Sequence, residues 1–140
     1  MFRYTFKVYP KGRGRDVYRV FTISGEDTLD ALCEYILDQF DFIHEHLYEF
    51  CMDNRPYGNA SLEYQDEMGN SHTCISIDEL GLTKGQKFTL HYDYGDDWLF
   101  VISTQKIEDV EEEEPPKLLK SKGEVEQYPD WDDEEWDEEE

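Results

Sequence analysis

Long apolar runs are missing from this 140-residue sequence. No run approaches the ~20 apolar residues that a membrane-spanning helix needs, so we expect no membrane insertion. Residues 1–8 alternate apolar and polar side chains from the start, unlike the continuous apolar centre of a secretory signal. Together these absences favour a cytoplasmic protein.

Cysteine is scarce, and Cys33, Cys51 and Cys74 lie far apart in the sequence. An odd number of widely spaced cysteines fits neither a disulfide framework nor a zinc knuckle, and favours reduced thiols in the cytoplasm. His44 and His46 form a His-x-His pair, which we interpret as histidines that complement the dipole at a helix end. We therefore expect no metal and no cofactor.

Basic residues are few, with 13 Lys and Arg against 35 Asp and Glu, and the net charge is −22. Six of the basic residues lie within residues 1–25, and 17 of the acidic residues lie within residues 108–140. A field of this sign repels nucleic acid and anionic membranes. It favours a basic protein partner, or serves solubility alone, and direct binding of nucleic acid is not expected.

The sequence patterns that are present predict one small domain. Residues 2–9 alternate in the manner of a half-buried strand, and residues 17–23 are rich in β-branched and aromatic side chains, so the two predict a β-hairpin. An apolar stripe at helical spacing runs from Leu29 to Ile43, with Ser24 and Asp27, or Thr28 itself, as candidate N-terminal caps.

Further strands are predicted at residues 47–52, 87–92 and 99–103, with a short helical turn that begins at Ser76. The order strand, strand, helix, strand, short strand, short helix, strand is typical of a β-grasp. We therefore predict an α+β fold of β-grasp (ubiquitin-like) topology with one extra C-terminal strand.

The periodic pattern disappears at Glu108. Runs of acidic residues and a Pro-Pro pair follow, as in segments that cannot bury enough apolar surface to fold. We predict a β-grasp-like domain at residues 1–107 and an acidic, partly disordered extension at 108–140. Within the extension, Tyr128 and Trp131 are candidate binding residues, because a solvating tail needs no aromatic rings.

The most informative segment has three aromatic and three acidic residues around Gly95, between two apolar runs. Its candidate binding residues are Tyr92, Asp93, Tyr94, Asp96, Asp97 and Trp98. One interpretation is a structural corner, in which Gly95 allows a positive φ, Asp96 or Asp97 bonds the turn backbone, and the rings cover the core. The other is a hairpin tip that binds a cationic or stackable group.

Two weaker hypotheses concern catalysis and phosphate. Asp93, Asp96 and Asp97 could share a site and split their pKa values, as acid–base pairs do, although no nucleophile or base accompanies them in the sequence. The basic loop at residues 11–15 could contact a phosphate, but it leads into a strand and so lacks the context of a P-loop. It could equally pair with the acidic tail of its own chain.

The run from Leu90 to Trp98, followed by an apolar strand, resembles the hallmark of the plasmid pRi ORF-three-like proteins, also known as insertion-element passenger proteins of a TnpR family. Residues 122–131 resemble the C-terminal part of the same family. Many members have a histidine two residues after the tryptophan, where this chain has Phe100. The resemblance implies an association with mobile elements and a function that is uncertain. A recombinase activity is not expected. Such enzymes need an activated nucleophile among several arginines that hold the phosphate, whereas this chain has no obvious arginine cluster except in the hairpin and a net charge of −22.

We therefore predict an interaction module that contacts a protein partner, and a non-catalytic protein rather than an enzyme. One alternative is an acidic mimic of nucleic acid that occupies a basic DNA-associated protein. The other is an enzyme that uses Asp93, Asp96 and Asp97.

Overall fold

The computed structural model describes residues 1–56, 61–63 and 72–127, which form a seven-stranded sheet, one α-helix and two short 3₁₀ helices. The 3₁₀ helices are His72–Cys74 and Ile77–Leu80. The strands and helix are β1 Phe2–Pro10, β2 Tyr18–Ser24, α1 Leu29–Gln39, β3 Tyr48–Cys51, β4 Ser61–Glu63, β5 Lys87–Tyr92, β6 Trp98–Asp109 and β7 Lys117–Lys122. The predicted α+β class is confirmed.

The strands are arranged in the order β4-β3-β5-β6-β1-β2-β7, and all neighbours are antiparallel. The predicted hairpin of β1 and β2 is confirmed, with Phe6 opposite Phe21. The β-grasp topology is not confirmed, because β6 lies between β5 and β1 and pairs with both. At 12 residues β6 is long enough to pair along β1 from Phe2 to Pro10.

Helix α1 lies against one face of the sheet and covers the core. Its N-cap is Thr28, whose hydroxyl oxygen accepts a hydrogen bond from the Ala31 N–H at 3.1 Å. The buried side of the helix meets the apolar face of the strands, where Phe6, Phe88 and Phe100 are fully buried. Each such side chain contributes about 1.5–3 kcal/mol through burial. None of the helices within the described residues has the length and apolar content that crossing a membrane requires.

A polar contact also fixes α1 to the sheet. The Tyr48 hydroxyl on β3 donates to Asp30 Oδ1 at 2.5 Å, and the Thr73 hydroxyl donates to the same oxygen. Burial is the main cause that raises the pKa of Tyr48 above its usual range, and Cys33 and Asp30 add to the shift. The first turn of the helix is thereby held against β3.

The C-terminal part of the described chain belongs to the same sheet. The predicted boundary between residues 107 and 108 falls inside β6, and residues 117–122, predicted within the extension, form β7 at the edge next to β2. The division into two parts stays a prediction, since residues 128–140 lie outside the described residues.

Replacing Gly123 with alanine tests how the segment after β7 is attached. Gly123 has φ +69°, and an added Cβ would lie 2.1 Å from the Asp16 carbonyl oxygen. We expect the free energy of unfolding to fall by about 2 kcal/mol, because both backbone strain and overpacking apply. Gly12 is the matched control, since it has φ +85° but open space around it, and its alanine variant should lose about 1 kcal/mol. Urea denaturation of both variants measures the difference, and equal losses would contradict the close approach.

Thiol labelling of the native protein is expected to show one fast-reacting cysteine. Cys33 and Cys51 are buried, whereas Cys74 is exposed. Burial raises the pKa of the Cys33 thiol well above its ordinary value, and the charges of Asp30 and Glu34 raise it further, so little thiolate forms. With Ellman's reagent at pH 8, the fast phase should correspond to one thiol and disappear in Cys74→Ser. A fast phase of two or three thiols in the native protein would contradict the packing.

Candidate functional site

The hairpin between β5 and β6 carries six of the predicted site residues. Strand β5 ends at Tyr92 and β6 begins at Trp98, and these two residues face each other across the pair. The turn between them is tight, since the Asp97 N–H donates to the Asp93 carbonyl oxygen at 2.5 Å. The structure thus brings residues 92–98 together, as the sequence predicts. Tyr128 and Trp131 lie outside the described residues.

Asp93 organises the turn, and Gly95 does not supply the positive φ that the sequence suggested. The left-handed residues are Asp93 at φ +66° and Asp97 at φ +55°. Aspartate tolerates this region better than most residues, because its short side chain bonds the nearby backbone. Asp93 Oδ1 accepts hydrogen bonds from the N–H groups of Gly95 at 3.1 Å and Asp96 at 3.3 Å. The predicted role of Asp96 or Asp97 in bonding the turn therefore belongs to Asp93.

Tyr92 lies wholly inside the domain and anchors the loop that follows α1. Its hydroxyl oxygen accepts hydrogen bonds from the N–H groups of Glu45 at 3.0 Å and His46 at 3.2 Å, and donates to the Ile43 carbonyl. The ring is fully buried beside Phe42, at a centroid distance of 6.4 Å. Tyr92 therefore contributes to the corner through internal contacts and presents no surface to a partner.

A buried histidine joins the turn to the sheet, and sequence reasoning assigned it no role. His91 on β5 is fully buried, with Nδ1 2.7 Å from Glu49 Oε2 on β3 and Nε2 2.6 Å from Asp97 Oδ1. Glu49 is also buried, while the Asp97 side chain is 56% exposed. The Tyr94 ring stacks on the imidazole at 4.9 Å between centroids. Both ring nitrogens therefore lie within hydrogen-bonding distance of a carboxylate.

The two remaining rings are half-exposed and flank the exposed turn. Trp98 packs edge-on against Phe42 at 4.8 Å and stacks near Phe100 at 6.1 Å, and part of its surface stays open. Tyr94 is half-exposed over His91. Between them Asp96 and Asp97 face solvent. The surface of the hairpin tip therefore presents parts of two aromatic rings and two carboxylates.

His46 extends this corner toward the loop after α1. Its Nε2 lies 3.5 Å from Asp93 Oδ2, and its ring meets Tyr92 edge-on at 5.6 Å. His44 instead lies 2.9 Å from Asp38 near the end of α1, which agrees with a role at the helix end. Over residues 1–56, 61–63 and 72–127, no group of three or more His, Cys, Asp and Glu side chains is arranged to hold a metal ion.

One signal in the sequence pointed to the buried pair. Glu49 lies between Tyr48 and Phe50, and His91 lies between Leu90 and Tyr92, so each alternates with core residues. Such positions face away from the helix-covered core. Their burial and their pairing depend on the β3–β5 register, in which Glu49 lies opposite His91, and no local pattern specifies that register.

Over the described residues, these features define an α+β domain with one α-helix and an acidic hairpin tip that contacts the sheet through a carboxylate–histidine–carboxylate array. The chain belongs to the plasmid pRiA4b ORF-3-like protein family, whose model matches residues 3–130. The predicted family is thereby confirmed.

A solved structure shares the fold. The chain is similar to MM3350, a protein of unknown function from Methanosarcina mazei Go1, with 25% identity and a TM-score of 0.69. The match covers 98% of this chain and 80% of the Methanosarcina protein. No curated protein matches. Neither the family nor its structural relative has an assigned function.

Proposed function

We propose that this protein is a non-catalytic interaction module that contacts a protein partner through its hairpin tip, residues 94–98. The observation that carries the proposal is that Asp97 is fixed by buried His91 while 56% of its side chain stays exposed. A contact group that is already ordered loses little conformational entropy on binding. The tip therefore has the preorganisation that a recognition surface needs.

The chemistry of the tip favours a basic partner. The exposed carboxylates of Asp96 and Asp97 can accept charge-assisted hydrogen bonds from Lys or Arg. The half-exposed rings of Tyr94 and Trp98 can attract the same cations through the open parts of their π faces. The net charge of −22 adds long-range attraction for a basic surface.

A random-peptide display selection tests this proposal, because it samples many partner sequences at once. The wild-type protein is the bait, and peptides that also bind an Asp96→Asn/Trp98→Ala variant are removed in each round. Because both proteins carry the same tail, this depletion removes peptides that bind only the tail. We expect the remaining peptides to be rich in Arg and Lys and to lose at least about tenfold in affinity on the variant.

Glu111→Gln is the matched control, since Glu111 is exposed in the β6–β7 connection and its replacement removes the same charge as Asp96→Asn. Selected peptides should bind this control as they bind the wild type. If the depleted selection yields no peptide, or if the control weakens binding as much as the tip variant, the proposed contact surface is wrong.

The two alternative functions remain proposals with less support from the tip. The enzyme hypothesis needs carboxylates that can act on a substrate. Asp93 Oδ1 already accepts two backbone hydrogen bonds and Asp97 Oδ1 already contacts His91, so Asp96 is the one of the three aspartates whose carboxylate has neither of these contacts. For a nucleic-acid mimic, the supporting feature is the net charge of −22, to which the tail contributes strongly. Residues 128–140 of that tail lie outside the described residues.

The finer fold and the cellular context also belong to this proposal. Because β6 is antiparallel to both β5 and β1, the latter two strands run parallel, and we infer a β-grasp arrangement into which β6 is inserted. The three cysteines are widely spaced in the sequence, and Cys33 and Cys51 are buried. This pattern favours a reducing compartment, and we propose the cytoplasm. An association with mobile elements, implied by the family resemblance, is part of the same proposal.

A further inference from the structure

We propose that the cleft between the β1–β2 turn and strands β5 and β6 binds a small phosphate ester or polyphosphate. This inference goes beyond the proposed function, because the cleft is formed by different residues from those of the hairpin tip. It has a volume of about 510 Å³, within the range of small-molecule sites. The lining residues are Lys7, Tyr9, Gly12, Arg13, Gly14, Arg15, Asp16, Lys87, Ser103 and Gln105.

The charge of the cleft is opposite to that of the whole protein. Four cationic side chains line it, Lys7, Arg13, Arg15 and Lys87, against the single carboxylate of Asp16. The chain has a net charge of −22 and only 13 basic residues, yet four of those basic residues line this one cleft. Such a local excess of about three positive charges matches the charge of a di- or triphosphate.

These cations have no carboxylate partner among the described residues. Arg3 and Lys106 each form an ion pair with Glu108, which shows that the same sheet neutralises basic residues elsewhere. Within the described ranges, no carboxylate lies within 4.0 Å of the four cleft cations. Among the described residues, their charge is therefore not neutralised by a carboxylate at contact distance.

The central lysine is held in place by aromatic rings. Lys7 Nζ lies 4.6 Å from the centroid of the Tyr18 ring and 5.7 Å from that of Tyr9. Both distances are within the range of cation–π attraction. Because Lys7 lies on β1 and is half-buried, its ammonium group is positioned before any ligand binds.

The turn that carries the two arginines is also preorganised. The Arg13 carbonyl accepts hydrogen bonds from the N–H groups of Asp16 and Val17, each at 3.0 Å. Gly14 packs on the Tyr9 ring so closely that an added Cβ would lie 2.9 Å from Cδ2. Lys122 Nζ of β7 donates to the Arg15 carbonyl at 3.0 Å. The guanidinium groups thus project from a fixed backbone and suit the forked hydrogen bonding that phosphate oxygens accept.

A small anion fits this surface better than a nucleic acid does. Beyond the cleft the ligand meets a strongly negative protein, and repulsion extends over about 8 Å at physiological ionic strength. A long polyanion would experience that repulsion along its length, whereas a compact phosphate group stays among the four cations. Ser103 and Gln105 add a polar pair at the β6 side of the cleft, in which the Gln105 side-chain amide donates to the Ser103 hydroxyl oxygen at 2.8 Å.

Isothermal titration of the full chain with inorganic triphosphate, at low and at physiological salt, tests the site. We expect saturable one-to-one binding that an Arg13→Gln/Arg15→Gln variant weakens at least about tenfold. The matched control is Arg55→Gln/Lys84→Gln, which removes two positive charges outside the cleft and should change the affinity less than about twofold. Adenosine triphosphate is the second arm, in which equal affinity indicates recognition of phosphate alone and tighter binding indicates that a nucleoside is also recognised.

Three outcomes would overturn the proposal. The first is no saturable binding of triphosphate by the full chain at low salt. The second is an equal loss in the cleft variant and in the control, which would indicate a general charge effect. The third is tighter binding of a twelve-residue oligothymidylate than of triphosphate, because that result assigns the surface to nucleic acid. Thermal unfolding of each variant without ligand verifies that the exposed substitutions leave the fold intact.

Discussion

Replacing His91 with leucine is expected to lower the free energy of unfolding by about 3–5 kcal/mol. The leucine leaves the buried carboxylate of Glu49 without the imidazole that lies 2.7 Å away, and it releases Asp97 from its contact at 2.6 Å. Removing one member of a buried carboxylate–imidazole pair is among the most destabilising changes in a protein interior. Urea denaturation, followed by far-ultraviolet circular dichroism, measures the loss.

The double variant Glu49→Leu/His91→Leu separates loss of the pair from loss of packing. Because an apolar pair of similar volume can replace a buried ion pair at little cost, we expect the double variant to be more stable than His91→Leu alone. His44→Leu is the matched control, since His44 pairs with Asp38 at the surface and should contribute less than about 1 kcal/mol. If His91→Leu is as mild as this control, or if the double variant is no more stable than the single one, the pair does not hold the corner.

The elements that local patterns specify could be predicted from the sequence. The apolar stripe of α1 and the Thr28 cap are encoded within one helix, and the alternation in β1 and β2 is encoded within each strand. The position of β6 between β5 and β1 is different in kind. This position depends on which strands β6 pairs with, and β1 is far from β6 in the sequence. The alternation of apolar and polar residues within the 12 residues of β6 does not specify its neighbours.

The candidate site shows the same division between local and tertiary information. The turn after Tyr92 was identifiable because Asp and Gly residues favour turns, yet the positive φ values fell on Asp93 and Asp97. The function of its rings required the tertiary structure. The side chains of Tyr92 and Trp98 lie on the same face of the sheet, yet Tyr92 is buried and Trp98 is half-exposed. The difference arises because the loop after α1 covers Tyr92.

The second large effect is expected for Tyr92→Phe, which removes one oxygen atom and keeps the ring. The Tyr92 hydroxyl satisfies the N–H groups of Glu45 and His46 and the carbonyl of Ile43. Because Tyr92 is fully buried, removing the hydrogen bonds of its hydroxyl should lower the free energy of unfolding by about 2–4 kcal/mol. Amide hydrogen exchange should rise at Glu45 and His46, because their N–H groups lose their acceptor.

Tyr35→Phe is the matched control for this change, because Tyr35 packs on Phe21 at 4.7 Å and its hydroxyl forms no hydrogen bond within the described residues. That variant should lose less than about 0.5 kcal/mol. A small loss for Tyr92→Phe with unchanged exchange at Glu45 would show that the loop after α1 is held by other contacts. A large loss that leaves peptide binding at the tip unchanged would instead separate the two roles of the segment, with Tyr92 stabilising the corner and residues 94–98 forming the contact surface.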